Sequence, residues 1–243
     1  MNNDFTIRIG PIRIAIAPIS EHPQKTYYRY LCDGIPHFSV AITPEDLRLE
    51  LEICQRADVF AGKPPQIYHR AFLESLAIQR KITERLFEYN ILLFHGSAVA
   101  VDGQTYLFIA VSGTGKSTHA ALWRQLLGDR AVMVNDDKPF IEIREDGIIV
   151  HGSPWNGVHK LGNNISVPLK AICILERGQT NKIEKISFKE SLFMLLQQSS
   201  RPAKNIEKYM ELIEQFSDNI SFYRMECNTD LEAAQIAYEA MSE

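Results

Sequence analysis

YLFIAVSGTGKSTHAALWRQLLGD, residues 106–129, decides how the rest of the chain is read. An apolar run from Tyr106 to Val111 ends in the turn Ser112-Gly113-Thr114-Gly115, and Lys116-Ser117-Thr118 follows at once. Beyond these, Leu122, Trp123, Leu126 and Leu127 recur at helical spacing, and Gly128 is placed to end the helix. Strand, glycine-bearing turn, Lys-Ser and helix is the order in which successive backbone N–H groups converge at a helix N-terminus and hold a phosphate. In such a loop the Lys116 ammonium reaches the terminal phosphates of a nucleotide. Ser117 offers its hydroxyl to the Mg²⁺ that bridges them, and Ser112, Gly113, Thr114, Gly115 and Thr118 complete the cradle. Ala110 stands where the first glycine of such loops is usual, which leaves the turn possible with a wider first bend.

Twenty residues past Lys116, the apolar run Ala131 to Val134 delivers Asn135-Asp136-Asp137-Lys138. A carboxylate at the end of a strand that follows a phosphate loop can hold Mg²⁺ directly or through water. Two adjacent carboxylates divide the work: Asp136 is read as the base that takes a proton from an attacking hydroxyl, Asp137 as the metal-associated group, and the two roles are exchangeable. A solvated turn between strands is the plainer alternative for Asn-Asp-Asp. His95 precedes Gly96 on a strand whose hairpin returns the chain to the phosphate loop, so it can approach the phosphates, although a lone histidine is often an ordinary core residue. Arg201, between two helical stretches, is a candidate phosphate clamp because its guanidinium is planar and permanently charged. Trp155, in Gly152-Ser153-Pro154-Trp155-Asn156-Gly157, suits either a lid or an anchor for its loop, and His159 and Lys160 can touch phosphate or an acidic acceptor.

Composition narrows the classes. The chain has 243 residues, 45% hydrophobic and 23% charged, enough for a sizeable core in one large or two closely associated domains. Net charge is −4 with no block of like charge, which argues against nucleic acid and membrane surfaces as partners. No apolar run approaches the roughly 20 residues that cross a bilayer, and MNNDFTIRIG lacks a charged-then-apolar signal segment, so a cytoplasmic location is expected. Cys32, Cys54, Cys173 and Cys227 show neither paired nor metal-like spacing and read as reduced thiols, mostly buried.

In chain order, residues 5–17 alternate like two strands broken at Gly10-Pro11, and Tyr27–Leu31 and His37–Ile42 look like further short strands. Residues 1–65 are therefore expected to form a small, mostly antiparallel β region, in which Pro44 to Arg56, with a weak pattern, opens either a helix or a short irregular segment. An amphipathic helix within residues 66–90 connects it to a catalytic region, residues 91–243. That region opens with the strands LLFHGSAVAV and QTYLFIA around Asp102-Gly103. A second hairpin turns at Glu145-Asp146-Gly147. Strands follow at Leu169–Leu175, Ile183–Ile186 and Ile220–Met225, with helices at Lys189–Gln198, Asn205–Phe216 and Leu231–Met241. The fold class is mixed α/β with largely antiparallel sheets, unlike a strictly alternating doubly wound sheet.

His95-Gly96, a strand hairpin, the SGTGKS loop and the Asp136-Asp137 pair, in that order, resemble the catalytic domain of the HPr kinase/phosphorylase family. That family shares its nucleotide-binding architecture with ATP-dependent phosphoenolpyruvate carboxykinases. The resemblance covers about residues 91–165. It implies a kinase that uses ATP and Mg²⁺, with Lys116 stabilising charge on the transferred phosphoryl group and a hydroxyl of a peptide, a protein or a small molecule as acceptor. A serine of a peptide or protein is the first expectation. The segment HGSPWNGVHKLGNN does not resemble the Arg-Gly signature with which true HPr kinases continue, so HPr itself is not the expected acceptor. A small-metabolite kinase, a nucleotide-sensing module and a carboxykinase-like enzyme are the rival classes, and a homo-oligomer is compatible with all of them.

Overall fold

The computed structural model describes residues 3–157 and 160–243, and its contacts separate two units, Met1–Leu86 and Phe87–Glu243. In the first unit, alternation of buried isoleucines produces the hairpin β1 (Phe5–Ile9) and β2 (Ile12–Ala17), with Ile7 opposite Ile14. The short helix α1 (His22–Thr26) follows, then β3 (Phe38–Ala41), α2 (Pro44–Phe60) and α3 (Arg70–Leu86). β3 lies parallel to β2, so this three-stranded sheet is mixed.

One expectation fails here for a local reason. Tyr27–Leu31 is not a strand but contains a 3₁₀ turn, Tyr28–Tyr30. Tyr27 donates to the Pro23 carbonyl and Tyr30 to that of Tyr27, and both rings are buried three residues apart, on one face of a helical turn. α2 is a full 17-residue helix although its apolar pattern is weak. Its start is fixed by a reciprocal capping box between Thr43 and Asp46. Its flank is held by polar contacts, with Arg80 donating to Glu50 at 2.6 Å and Lys81 to Asp46 at 2.7 Å. Buried Glu74 is likewise satisfied, accepting from the backbone N–H groups of Ile19 and Ser20. The amphipathic helix expected within residues 66–90 is α3, which buries Leu73, Ala77, Ile78, Ile82 and Leu86 and belongs by its contacts to the first unit.

The second unit begins with β4 (Ile91–Leu93), β5 (Ser97–Val101), β6 (Gln104–Ile109), α4 (Lys116–Leu127) and β7 (Ala131–Asn135). β8 (Phe140–Arg144), β9 (Gly147–His151), β10 (Ser166–Arg177) and β11 (Lys182–Ile186) follow. It ends with α5 (Phe188–Gln198), α6 (Ile206–Glu214), α7 (Phe216–Asn219), β12 (Ser221–Cys227) and α8 (Leu231–Ser242). The strands form one nine-stranded mixed sheet, in the order β4-β8-β9-β10-β6-β5-β7, with β12 also on β10 and β11 on β12. β10 turns the sheet: Ser166 to Pro168 pair with β9, the register shifts between Leu169 and Ala171, and the remainder runs between β6 and β12. The flanks are antiparallel as expected, whereas β6, β10 and β12 are mutually parallel.

The single strand expected over LLFHGSAVAV is interrupted. β4 pairs with β8 and β5 with β6, and the break at Phe94–Gly96 has its backbone groups taken by other segments. Phe94 donates to the Pro139 carbonyl, His95 to Gln198 at 2.7 Å and Gly96 to Asp137 at 3.0 Å.

Strand periodicity divides the core between two faces. Tyr106, Phe108, Ala110, Cys173, Leu175 and Met225 pack with Trp123 of α4 and Ala233, Ala234 and Ala237 of α8. Leu107, Ile109, Ile172, Ile174 and Phe222 face the opposite cluster, built with Leu195, Leu212, Ile213 and Phe216. β5 is antiparallel to both β6 and β7, so those two run the same way. The carboxyl ends of β6, β7, β10 and β12 thus share one edge of the sheet, where ligands of such sheets bind.

Candidate active site

The phosphate loop leaves the carboxyl end of β6. Gly113 and Gly115 hold φ of 82° and 122°, conformations that side-chain-bearing residues rarely adopt, and Thr114 N–H closes a turn on the Val111 carbonyl at 3.2 Å. Ala110 is fully buried and is not among the residues with positive φ, so a methyl group costs the turn nothing there. α4 begins at once: His119 N–H bonds the Gly115 carbonyl at 2.9 Å, and Lys116, His119, Ala120 and Trp123 form its buried face. The Lys116 ammonium folds back onto the Ala110 carbonyl at 3.2 Å. Burial lowers its pKa and Lys138 lowers it further, while Asp137 raises it.

β7 ends one strand away, beyond β5, and carries the acidic pair. Asn135 is fully buried and organises it. Its side-chain carbonyl accepts from the N–H groups of Asp137, at 2.8 Å, and Lys138, at 2.6 Å. Its amide donates to the Ser153 carbonyl and hydroxyl oxygens, both at 3.1 Å, and the Ser153 hydroxyl donates in turn to the Lys138 carbonyl at 2.6 Å. The Asp136 carboxylate is buried, with Oδ1 accepting from the Ser97 hydroxyl at 3.3 Å and Oδ2 meeting no partner among the described residues. A Cβ added at Gly157 would lie 3.0 Å from that oxygen, so glycine keeps space beside it. Asp137 is half-exposed, its Oδ1 3.4 Å from His95 Nε2. Burial pushes the His95 imidazole down to about 4, with Lys138 and Lys116 acting in the same direction and Asp137 against them. His95 is therefore neutral at neutral pH.

These groups surround one cavity of about 340 Å³, lined by His95, Ser112, Gly113, Gly115, Lys116, Ser117, Thr118, Asp136, Asp137 and Gly157. Four separate stretches of sequence thus meet there: the loop, the acidic pair, His95 and Gly157. Thr114 lies instead on a neighbouring cavity of about 670 Å³. Arg201 is exposed and lines neither. It sits just past Ser200, whose N–H bonds the Leu93 carbonyl at 2.7 Å, and so lies one residue beyond the stitching of this segment to β4. Trp155 is buried, edge-on to Phe140 at 6.1 Å, and anchors its loop. Lys160 is exposed, and His159 lies outside the described residues.

Sequence reasoning missed Asn135 as an organiser, Ser97, Ser153 and Gly157, and Arg177 at the end of β10. Arg177 donates to the loop carbonyls of Gly113, at 2.5 Å, and Thr114, at 3.4 Å. Only Asn135 carried a signal, an Asx residue directly before the acidic pair.

The donor set fits a phosphate-bound Mg²⁺. Among the described residues no group of three or more His, Cys, Asp or Glu is disposed to hold a metal alone. Such an ion would keep phosphate and water ligands and take only Ser117 and Asp137, or Asp136 with its unpartnered oxygen, from the protein. Among the described residues no helix is long and apolar enough to cross a membrane. The four cysteines are free thiols: Cys173 is buried and the other three are half-buried.

No curated protein matches this chain. The chain is similar to the Hpr(Ser) kinase/phosphatase from Coxiella burnetii, with a TM-score of 0.36 and 8% identity, over 62% of this chain and 99% of that one. Residues 70–226, more than half of the chain, match the family described as SynChlorMet cassette protein ScmC, and the chain belongs to that family.

Proposed function

We propose that this protein is a Mg²⁺- and ATP-dependent kinase that transfers the γ-phosphoryl group to a hydroxyl, in the first instance a serine of a peptide or protein. The observation that carries this reading is the convergence of the phosphate loop, the Asp136-Asp137 pair and His95 on one cavity, with a buried Asp136 oxygen that has no partner among the described residues.

The loop N–H groups and the N-terminus of α4 hold the polyphosphate, and Lys116 exchanges the Ala110 carbonyl for phosphate oxygens. Bound Mg²⁺ supplies neutralisation of phosphate charge. Asp136 accepts the proton of the acceptor hydroxyl as that oxygen bonds to the γ-phosphorus and the bond to the β,γ-bridging oxygen breaks, leaving ADP. Asp137 is the metal-associated carboxylate. His95, neutral and within reach of Asp137, orients that carboxylate. Lys116 stabilises the charge developing on the phosphoryl group, a role worth roughly 3 kcal/mol in the barrier. Arg201 remains a candidate clamp only if its segment moves toward the cavity.

The test is transfer of γ-labelled phosphate from Mg²⁺-ATP into an extract of the source cells, with wild type beside Asp136→Asn and the products separated by size. A labelled peptide or protein that appears only with wild type supports the proposal. Label confined to small molecules transfers the reading to a metabolite kinase, and absence of any transfer with nucleotide still bound favours a sensing module.

A further inference from the structure

The junction of α2 and α3, within the first unit, leaves a run of large apolar side chains in water. Phe60 is 96% exposed and Ile67 is fully exposed, and Leu49, Ile53 and Val59 are exposed as well. α2 buries Leu47 and Glu50, whereas Leu49, Ile53 and Phe60 recur at spacings of four and seven and share its outer face. The loop that follows is braced. The Asp58 carboxylate accepts from the Gln66 N–H at 2.9 Å and from the Tyr68 hydroxyl at 2.8 Å, and the Asp58 carbonyl accepts from the Lys63 N–H at 2.9 Å. The Gln55 side-chain amide donates to the Gln66 carbonyl at 3.3 Å, and Tyr68 stacks on Phe72 at 5.7 Å. Phe60 and Ile67 are thus presented on a fixed scaffold, which keeps the ordering cost of binding low.

The exposed row offers roughly 600 Å² of apolar surface, at the top of the range for the largest patch on a monomer and most of the roughly 800 Å² per partner that a standard interface buries. Beside it is a recess. A cavity of about 350 Å³ lies on the neighbouring face of α2, lined by Glu52, Gln55, Arg56, Val59 and Pro65, with room for one aromatic side chain. A knob and a recess on the same patch are what a two-fold contact between identical chains requires, because each copy gives its knob to the recess of the other. The charges agree. Residues 52–66 carry two acidic side chains, Glu52 and Asp58, and two basic ones, Arg56 and Lys63, so no net charge draws an anionic lipid or an acidic partner. An antiparallel pairing of two α2 helices that sets Phe60 against Gln55 of the other copy also brings Glu52 level with Lys63, opposite in sign.

We propose that the α2–α3 junction is the contact of a two-fold homodimer, in which the two α2 helices run antiparallel and Phe60 of each copy enters the recess beside Val59 and Pro65 of the other. The contact is made by the first unit alone and is independent of the phosphate chemistry of the second.

Sedimentation equilibrium of the full chain tests it. Wild type is expected to form a dimer with a Kd of about 10 µM or below. Phe60→Asp is expected to weaken that dimer about 30-fold or more, the effect of losing a buried aromatic anchor. Phe60 is exposed within one copy, so an unchanged unfolding midpoint of the dilute variant reports an intact fold. Glu52→Lys and Lys63→Glu are each expected to weaken association roughly 3- to 10-fold, and the two together to restore it to within about 2-fold of wild type. A wild type that stays monomeric at about 100 µM overturns the proposal and leaves the apolar row to a partner of other chemistry. An assembly whose mass and affinity Phe60→Asp leaves unchanged overturns it too, because the copies then meet elsewhere. A double charge variant no tighter than the single ones overturns the antiparallel pairing.

Discussion

The second unit gathers histidine, carboxylate and hydroxyl side chains at two places, and the two are finished differently. On β8, β9 and β10, His151 uses both ring nitrogens: Nδ1 lies 2.8 Å from the Ser166 hydroxyl and Nε2 3.0 Å from Glu142. Arg144 donates to the same Glu142 oxygen at 2.6 Å, and His151 is 1% exposed. These bonds hold the Glu142 carboxyl near 2, against the effect of its burial. At the edge formed by β6 and β7, the groups are left open: among the described residues Asp136 Oδ2 has no partner, His95 meets Asp137 at 3.4 Å, and Lys116 bonds the Ala110 carbonyl at the start of its own loop. A saturated cluster returns its polar groups to the fold as stability. A cluster with open acceptors beside a cavity keeps them for a ligand. The constellation of Ser166, His151 and Glu142 is therefore read as structural, and that of His95, Asp136 and Asp137 as functional.

The largest effect that would separate the two belongs to Asp136→Asn. Phosphoryl transfer is expected to fall about 10³-fold, within the range for loss of a general base, while nucleotide affinity changes little. Lys116→Ala follows, with transfer down roughly 10²- to 10³-fold and nucleotide affinity weakened as well, since the ammonium serves ground state and transition state alike. Initial rates and equilibrium titrations distinguish these patterns. Asn135→Ala sharpens the comparison, because Asn135 is saturated yet serves the open cluster. It leaves the Ser153 groups and two N–H groups without their partner, an expected loss of about 1–3 kcal/mol by chemical denaturation. Transfer is expected to fall while the Kd for nucleotide holds, and a variant that is destabilised but fully active removes Asn135 from the positioning role.

Glu142→Gln gives the smallest effect and the opposite pattern: transfer unchanged and stability reduced at pH 7 by about 1–2 kcal/mol, once screening at its partly open rim is allowed for. The folded carboxyl titrates near 2 and an unperturbed one near 4.5, so the unfolded chain binds more protons between those values. The stabilisation is complete above about pH 4.5 and is lost as the pH falls toward 2, so wild type and variant should converge in acid denaturation over that window. Loss of transfer in Glu142→Gln with stability intact would break the comparison.

Much of this arrangement was legible in the sequence, because its signals are local. The glycines of the phosphate loop, the apolar run before it and the helical spacing after it lie within 24 residues, and the acidic pair follows an apolar strand directly. Alternation likewise pointed to β1, β2, β8 and β9, and apolar runs around the Asp102-Gly103 turn to β5 and β6. What escaped depends on contacts distant in sequence. The break between β4 and β5 exists because Gln198 and Asp137 take the backbone of His95 and Gly96. Ser153 and Arg177 earn their places only once β9 and β10 bring them beside Asn135 and the loop. α2 was underestimated because its capping box and its ion pairs with Arg80 and Lys81, rather than an apolar stripe, secure it. Arg201 drew attention by residue type, yet its place after α5 leaves it exposed.

The most direct test of the central claim, that the loop and the acidic pair form one catalytic site, is a paired measurement on Asp136→Asn: Mg²⁺-ATP affinity by titration and single-turnover transfer of labelled phosphate. The account predicts affinity within about 3-fold of wild type and transfer reduced about 10³-fold. Transfer at the wild-type rate would contradict it and would leave the cavity between β6 and β7 as a binding site alone.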